Sequence, residues 1–237
     1  MRTSIIIVAG AAIASAAPSA LAQFNSHFGL NHVDGAIVTE DWVSGPGYLG
    51  PDRVFAGQLD ASGFAADPGT NSVGGTFPTP GEIGFNFLHE LRVWDGSTFT
   101  PTAGETLTMS FAGGILSATT DAGFVAGWAT AVRDESSHPT NSSQWGRHHI
   151  HPNYTLNPAP GQMTAADGVY LIELEWFYSG AESIATSDAT WLLMSFNADG
   201  EVSAAADYVR NVIVPSPGAA VVLAGAFGLM GARRRRA

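Results

Sequence analysis

The fold is decided by residues 169–178, which read VYLIELEWFY and follow the turn signal Asp167-Gly168. Glu173 and Glu175 alternate here with apolar neighbours, and an alternation with period 2 is typical of a strand with one buried face. Trp176 lies in the same alternation and is predicted to be in the core. Residues 191–196, WLLMSF, are almost continuously apolar and predict a central strand.

Strand signals separated by turn residues recur outward from this pair of segments. The predicted strands are residues 36–43, 53–59, 82–94, 106–111, 123–132, 148–156 and 208–214, besides the two above. Asp95-Gly96 predicts a tight turn, residues 201–207 predict the only short helix, and residues 61–80 and 134–144 predict long loops. Eight to ten strands without a long amphipathic helix predict an all-β fold, a single β-sandwich of jelly-roll type over residues 23–213. Long loops in such folds often carry binding.

Composition and charge exclude several classes of function. The chain has 237 residues and no Cys, which excludes disulfides, thiolate metal sites and Cys nucleophiles. All 10 basic residues are Arg, against 21 acidic residues. Residues 23–213 contain five of the Arg and all 21 acidic residues, a net charge of −16. Such a body repels phosphate backbones, so we expect no nucleic-acid partner.

The N-terminus predicts a signal peptide over residues 1–22. Arg2 supplies the positive charge, residues 5–17 are apolar, and Ala20 and Ala22 place small residues before a cleavage site ahead of Gln23. The alternative, a membrane anchor, is disfavoured because thirteen helical residues span about 20 Å, less than the roughly 30 Å of a hydrocarbon core. Signal peptidase is therefore an expected partner.

The C-terminus has three successive parts. Val214-Pro215-Ser216-Pro217 is followed by an uncharged segment, residues 218–232, and then by a cationic block. The block consists of Arg233, Arg234, Arg235 and Arg236. Four Arg behind an apolar segment resist translocation, which predicts a cytoplasmic C-terminus. A buried helix with a basic end is the alternative, but it explains neither the cationic block nor the Pro-x-Pro break.

These three parts resemble the PEP-CTERM sorting signal, whose pattern is a Pro-Glu-Pro motif, a transmembrane segment and a terminal Arg cluster. Ser216 stands at the Glu position of that motif, and the resemblance covers residues 214–237 only. It implies recognition by an exosortase and transient anchoring in the inner membrane of a bacterium that makes extracellular polysaccharide. Processing near Pro215 to Pro217 would then deliver the body to the envelope or its matrix. The body also loosely resembles uncharacterised secreted proteins with the same tail, and that resemblance implies no activity.

The sequence RHHIH, residues 147–151, is the most conspicuous cluster of potential ligands. On a strand His149 and His151 share one face while His148 points away, and imidazoles about 6–7 Å apart at Cβ can bind one metal ion. Glu173 and Glu175 share a face in the same way, so a divalent metal site with two His and one Glu is predicted if the two strands are neighbours. The alternative is that these groups form ordinary cross-strand pairs. The pattern resembles the His-x-His of cupins but lacks their following Glu.

Two further kinds of site are open from the sequence. Asp60, Asp67 and Asp199 could bind calcium, although Asp-Gly pairs are usually turns. Trp42, Tyr48 and Trp145 lie near predicted loops and are candidates for carbohydrate contact, which makes extracellular polysaccharide a candidate partner. Nucleophile elbows, phosphate-binding loops and dinucleotide fingerprints do not occur in the sequence.

The leading hypothesis from the sequence is a non-enzymatic exported envelope or matrix protein with a structural or adhesive body. The alternative is a metal-dependent or carbohydrate-active protein that uses His149 and His151 with Glu173 or Glu175. The Glu pair would suit glycoside hydrolysis only within a cleft.

Overall fold

The computed structural model describes residues 27–43 and 47–214. The predicted signal peptide with its cleavage site and the sorting tail beyond Val214 lie outside these residues. The described part is built mainly of strands, with one short α-helix, α1 (Val202–Tyr208). The prediction of an all-β chain is therefore confirmed.

Sixteen strands occur in the described residues. They are β1 (His27–Val33), β2 (Ala36–Val43), β3 (Gly47–Pro51), β4 (Val54–Gln58), β5 (Phe64–Ala65), β6 (Thr70–Asn71), β7 (Gly81–Phe87), β8 (Arg92–Trp94), β9 (Phe99–Pro101), β10 (Thr106–Phe111), β11 (Leu116–Thr119), β12 (Val125–Ala131), β13 (His149–Ile150), β14 (Asn153–Asn157), β15 (Gly168–Gly180) and β16 (Thr190–Phe196). The number exceeds the predicted eight to ten because several strands have only two or three residues, too few to show a period.

These strands form three sheets. The largest has the order β12-β7-β15-β16-β4, with β8 beside β15 and β9 beside β8. A five-stranded sheet has the order β13-β6-β1-β2-β3, and a four-stranded sheet has the order β11-β10-β14-β5. Neighbours are antiparallel except for the pairs β16/β4 and β1/β6, which are parallel.

The two faces of β15 explain the sequence of residues 169–178. Tyr170 and Trp176 lie in a large core cluster that also contains side chains of the other two sheets. Val169 and Leu171 point to the opposite face, where α1 covers the sheet with Val202 and other apolar residues. Each fully buried side chain of this size contributes roughly 1.5–3 kcal/mol. The alternation of polar and apolar residues therefore begins only at Glu173, beyond the part of β15 that is covered on both faces.

Three predicted elements differ from the structure. Residues 82–94 form two strands, β7 and β8, which pair with successive parts of the same edge of β15. Residues 148–156 are divided into β13 and β14 next to Pro152, whose nitrogen has no hydrogen to donate to a ladder.

Residues 208–214 are not a strand: Val209–Ile213 continue α1 as a π-helical turn. Val209 is completely buried against the sheet, so packing of this turn outweighs its β propensity.

Candidate metal site

Three histidines from distant parts of the chain converge at one end of the five-stranded sheet. His27, His149 and His151 each offer a potential ligand nitrogen, and these atoms all lie within 4.8 Å of one another. His149 and His151 are the pair that the sequence placed on one face, and their Nε2 atoms are 3.3 Å apart. His27 is a third member that the sequence analysis did not identify.

The short strand β6 brings these residues together. It pairs in parallel with β1, where Phe28 lies opposite Thr70, and antiparallel with β13, where His149 lies opposite Asn71. His27 precedes Phe28 on one side of β6, and His149 lies on the other side opposite Asn71, two positions further along β6, so both rings lie on the same face of the sheet. His151 follows β13 directly.

Gly69 makes this close approach feasible. A Cβ atom at this position would lie 2.6 Å from the carbonyl oxygen of Ile150 and 2.9 Å from the ring of His27. The carbonyl of Gly69 also accepts a hydrogen bond from the backbone N–H of Phe28, at 2.8 Å. A side chain at residue 69 would therefore push the two strands that carry the histidines apart.

The rings form a three-sided arrangement that suits a metal ion. His27 and His149 are nearly parallel, with centroids 5.8 Å apart, and His151 stands edge-on to each at 4.9 Å. Tetrahedral Zn–N bonds of about 2.1 Å place neighbouring ligand nitrogens about 3.4 Å apart. The 3.3 Å between the Nε2 atoms of His149 and His151 matches that separation.

Asp67 supports His151 from outside the group of three. Its Oδ1 atom lies 2.9 Å from Nδ1 of His151 and 3.9 Å from Nε2 of His27. A carboxylate that accepts the Nδ1–H of an imidazole fixes the tautomer whose Nε2 carries the free lone pair. Nε2 of His151 is therefore the nitrogen prepared for ligation.

Two ring nitrogens of the cluster are buried without a hydrogen-bond partner in the described part of the chain. They are Nε2 of His27 and Nδ1 of His149. A buried polar atom left in this state costs roughly 1–3 kcal/mol. A metal ion bound by Nε2 of His27 would remove that cost at His27.

Burial also keeps the ligands in the neutral form that metal binding requires. Burial is the main cause that lowers the pKa of His149 to about 4, and the positive charges of His151, Arg147, Arg133 and His27 lower it further. The pKa of His27 is lowered by burial and by His151, against the opposing effect of Asp67. At neutral pH both imidazoles are therefore uncharged.

His148 lies on the other side of β13 and has a different role. Only 1% of the residue is exposed, and its two ring nitrogens lie 3.0 Å from Oγ1 of Thr70 and 2.8 Å from Oγ1 of Thr130. Burial, with smaller effects of His149 and Arg133, lowers the pKa of His148 to about 3. Both ring nitrogens are occupied, so His148 connects strands and is not a ligand of this cluster.

The predicted participation of Glu173 and Glu175 is wrong. Glu173 accepts a hydrogen bond of 2.9 Å from Arg92, and Glu175 accepts one of 2.9 Å from the Asn86 amide. Both belong to β15, whose neighbours are β7, β8 and β16, whereas β13 pairs with β6 in another sheet. The two glutamates do form cross-strand contacts, but with Arg92 and Asn86 and not with His149 or His151, as the alternative interpretation had paired them.

A turn signal in the sequence could have revealed β1 and with it His27. Asp34 and Gly35 have positive φ angles of 51° and 83°, and they connect β1 to β2 with Val33 opposite Ala36. Asp-Gly at a tight hairpin is the same signal that predicts the turn at Asp95-Gly96. Applied at residue 34, it predicts a strand before Ala36.

The candidate calcium ligands serve local structure. Oδ1 of Asp60 accepts hydrogen bonds from Ser62 and from the Phe64 N–H, as in a turn. The carboxylate of Asp199 accepts hydrogen bonds from Gln58 and Ser195. Asp67 instead contacts His151 at 2.9 Å, so the three carboxylates have separate partners and do not form a common site.

The aromatic candidates for carbohydrate contact occupy two places. Trp42 and Tyr48 contact each other edge-to-face, with centroids 5.1 Å apart, and the Tyr48 hydroxyl donates to the carbonyl of Leu30 at 2.7 Å. Trp145 donates its indole N–H to the carbonyl of His138 and lines an open cavity of about 500 Å³ together with Asp134 and other polar residues. Only Trp145 of the three borders that cavity.

Comparison with known proteins adds no assignment, because no protein-family model matches the chain and a search of curated proteins finds no match. Within residues 27–43 and 47–214, no helix is both long and apolar enough to cross a membrane.

Proposed function

We propose that the body binds a divalent transition-metal ion through one nitrogen each of His27, His149 and His151. The convergence of three imidazoles within 4.8 Å, supplied by segments more than a hundred residues apart, is the observation that carries this proposal. Imidazole ligands suit Zn²⁺, Cu²⁺ and Ni²⁺, whereas Ca²⁺ and Mg²⁺ prefer oxygen. Asp67 acts as the supporting carboxylate of His151.

Titration calorimetry with Zn²⁺ on the chelator-treated protein, together with elemental analysis, tests this proposal. One ion per chain is expected for the wild type, and His27→Ala should lose it. His32→Ala is the matched control, because His32 lies on the same strand outside the cluster. Glu173→Gln should also retain the ion. Zn²⁺ affinity equal in His27→Ala and wild type would contradict the proposed ligand set.

The proposed cellular setting is that of an exported protein. Signal peptidase would cleave before Gln23, and an exosortase would process the tail that begins at Val214, so that the body reaches the cell envelope or its polysaccharide matrix. The order of leader, acidic body, apolar segment and cationic block supports this setting. A structural or adhesive role there agrees with a metal site that joins distant segments of the body.

Replacement of Arg233, Arg234, Arg235 and Arg236 by Gln tests the sorting step. Without these charges the tail should lose its stop for translocation, and fractionation with mass spectrometry should show changed retention and an unprocessed C-terminus. An unchanged mature mass and location would refute the role of the Arg block.

We also propose that the three sheets pack as a β-sandwich of jelly-roll type. The large core cluster supports this arrangement, because it combines Phe28, Tyr154 and Trp176 from three different sheets. An experimental structure would test the layering.

A second proposed activity is contact of the body with polysaccharide through Trp145. An indole ring beside carboxylates and hydroxyls in an open cavity suits a sugar, whose C–H face packs on the ring while its hydroxyls donate hydrogen bonds. Tryptophan fluorescence during titration with the polysaccharide of the producing cell tests this contact. Wild type should respond and Trp145→Ala should not, and equal responses would refute it.

A further inference from the structure

The histidine cluster supplies three ligands, one fewer than a tetrahedral ion requires. Among the described residues the group contains only His27, His149 and His151. Asp67 is nearby, but its Oδ1 atom faces Nδ1 of His151 at 2.9 Å, the position of a supporting carboxylate. Protein zinc sites with three ligands keep the fourth position for water or an exogenous ligand, whereas structural sites are closed by four.

The side of the cluster formed by His151 faces solvent. The side chains of His151 and Asp67 are 44% and 40% exposed, compared with 22% for His27. The more buried His27 begins β1, next to Gly69 and Ile150. A fourth ligand can therefore approach from the exposed side without moving a strand.

The charges around the cluster favour an anion at that position. The three ligands are neutral imidazoles when a divalent ion is bound, and among the described residues Asp67 is the one carboxylate paired with them, so its single charge offsets only part of the charge of the ion. Arg133 and Arg147 add positive potential near the cluster, because Arg147 lies two residues before His149 and the backbone N–H of Arg133 donates to the carbonyl of Arg147 at 2.9 Å. Both guanidinium groups are held by the Gln144 side chain, at 2.6 Å and 3.0 Å. This concentration of positive charge contrasts with the acidic body as a whole.

We propose, on the basis of the metal binding proposed above, that the bound ion keeps one coordination position open to solvent and that a small carboxylate anion binds there. Water occupies the position in the absence of the anion and is displaced by it. Carboxylate oxygen is a normal ligand for Zn²⁺ at about 2.0–2.2 Å, and its single negative charge complements the excess positive charge.

The test uses the protein loaded with Co²⁺, whose visible absorption reports the number and kind of ligands. Acetate serves as the carboxylate probe and azide as a second small anion, and both should change the spectrum saturably with one site per chain. Arg133→Gln should retain Co²⁺ while its acetate affinity falls by about two- to tenfold, the range expected for one nearby charge at intermediate dielectric. The spectrum without added anion is recorded at two protein concentrations. A spectrum that changes with protein concentration would show that a carboxylate of a second copy, and not water, occupies the open position, which overturns the inference.

The possible outcomes separate this inference from the metal site itself. Bound Co²⁺ with a spectrum indifferent to both anions would mean a closed site, which overturns the open position and leaves metal binding intact. Anion effects that appear only in Asp67→Asn would show Asp67 to be the fourth ligand, which also overturns it. Failure of Co²⁺ and Zn²⁺ to bind at all would instead refute the proposed function.

Discussion

Replacement of His148 by Gln should remove a large part of the pH dependence of stability. His148 is almost completely buried, and its ring bridges Thr70 and Thr130. Gln keeps a donor and an acceptor but cannot be protonated at these pH values. The variant therefore keeps a hydrogen-bond donor and acceptor at this position but removes the group that titrates.

The magnitude follows from the pKa of His148, which burial lowers to about 3 from the ordinary value of 6.5. Above pH 6.5 the ring is neutral in both the folded and the unfolded state, so it contributes no pH dependence. Below pH 6.5 the unfolded chain binds a proton that the folded protein does not accept until about pH 3, and the free energy of unfolding falls by about 1.4 kcal/mol per pH unit. From pH 7.5 to 5.0 the loss from this one group is about 2 kcal/mol.

Urea unfolding of the metal-free protein at pH 7.5 and 5.0 measures the effect. At pH 7.5 we expect His148→Gln to be less stable than wild type because its packing and hydrogen bonds change. At pH 5.0 that difference should shrink by about 2 kcal/mol, since only the wild type is penalised by protonation of its unfolded state. A difference between His148→Gln and wild type that stays constant from pH 7.5 to pH 5.0 would refute the buried neutral imidazole.

Other variants test how the cluster is held. Gly69→Ala should destabilise the protein by about 1–3 kcal/mol in urea unfolding and weaken Zn²⁺ binding, because its Cβ would meet the carbonyl of Ile150 at 2.6 Å. Gly200→Ala, whose Cβ meets nothing within 4 Å, should change stability by less than about 0.5 kcal/mol, and an equal loss in both would refute the steric reason. Asp67→Asn should lower Zn²⁺ affinity by about 10- to 100-fold in calorimetry, and an unchanged affinity would exclude a supporting role for Asp67 at His151. Saturating Zn²⁺ should raise the melting temperature and a chelator should reverse the rise, unless the ion binds the unfolded chain equally well.

The parts of the fold that could be predicted from sequence are those with a local signal. β2 and β10 have the predicted bounds, because each has enough residues to show a strand pattern between turn residues. The helix α1 lies within one residue of its predicted position, since three Ala in a short segment favour helix. The strand predicted at residues 208–214 failed because the burial of Val209 against the sheet is a tertiary effect.

Which residues form the histidine cluster depends on a pairing of strands that no local sequence pattern encodes. The alternation on one strand correctly placed His149 beside His151 and His148 opposite them. The spacing of Glu173 and Glu175 predicts the third ligand on β15, but spacing within a strand does not specify the neighbour of that strand. β6 and β13 have two residues each and show no period. The pairing of β6 with β1 on one side and with β13 on the other arises only in the folded sheet.

The predicted loop at residues 61–80 connects the fold to the histidine cluster. It contains β6, which pairs with both histidine-bearing strands, together with Asp67 beside His151 and Gly69 beside His27. A long polar segment inside an all-β body is costly to order, and here its ordered part is the support of a ligand cluster. If a metal ion occupies that cluster, its binding free energy offsets this cost, so the loop should gain protection from hydrogen exchange when Zn²⁺ is added. Identical hydrogen exchange of residues 61–80 with and without Zn²⁺ would show that the ordering of this loop is not coupled to binding of the ion.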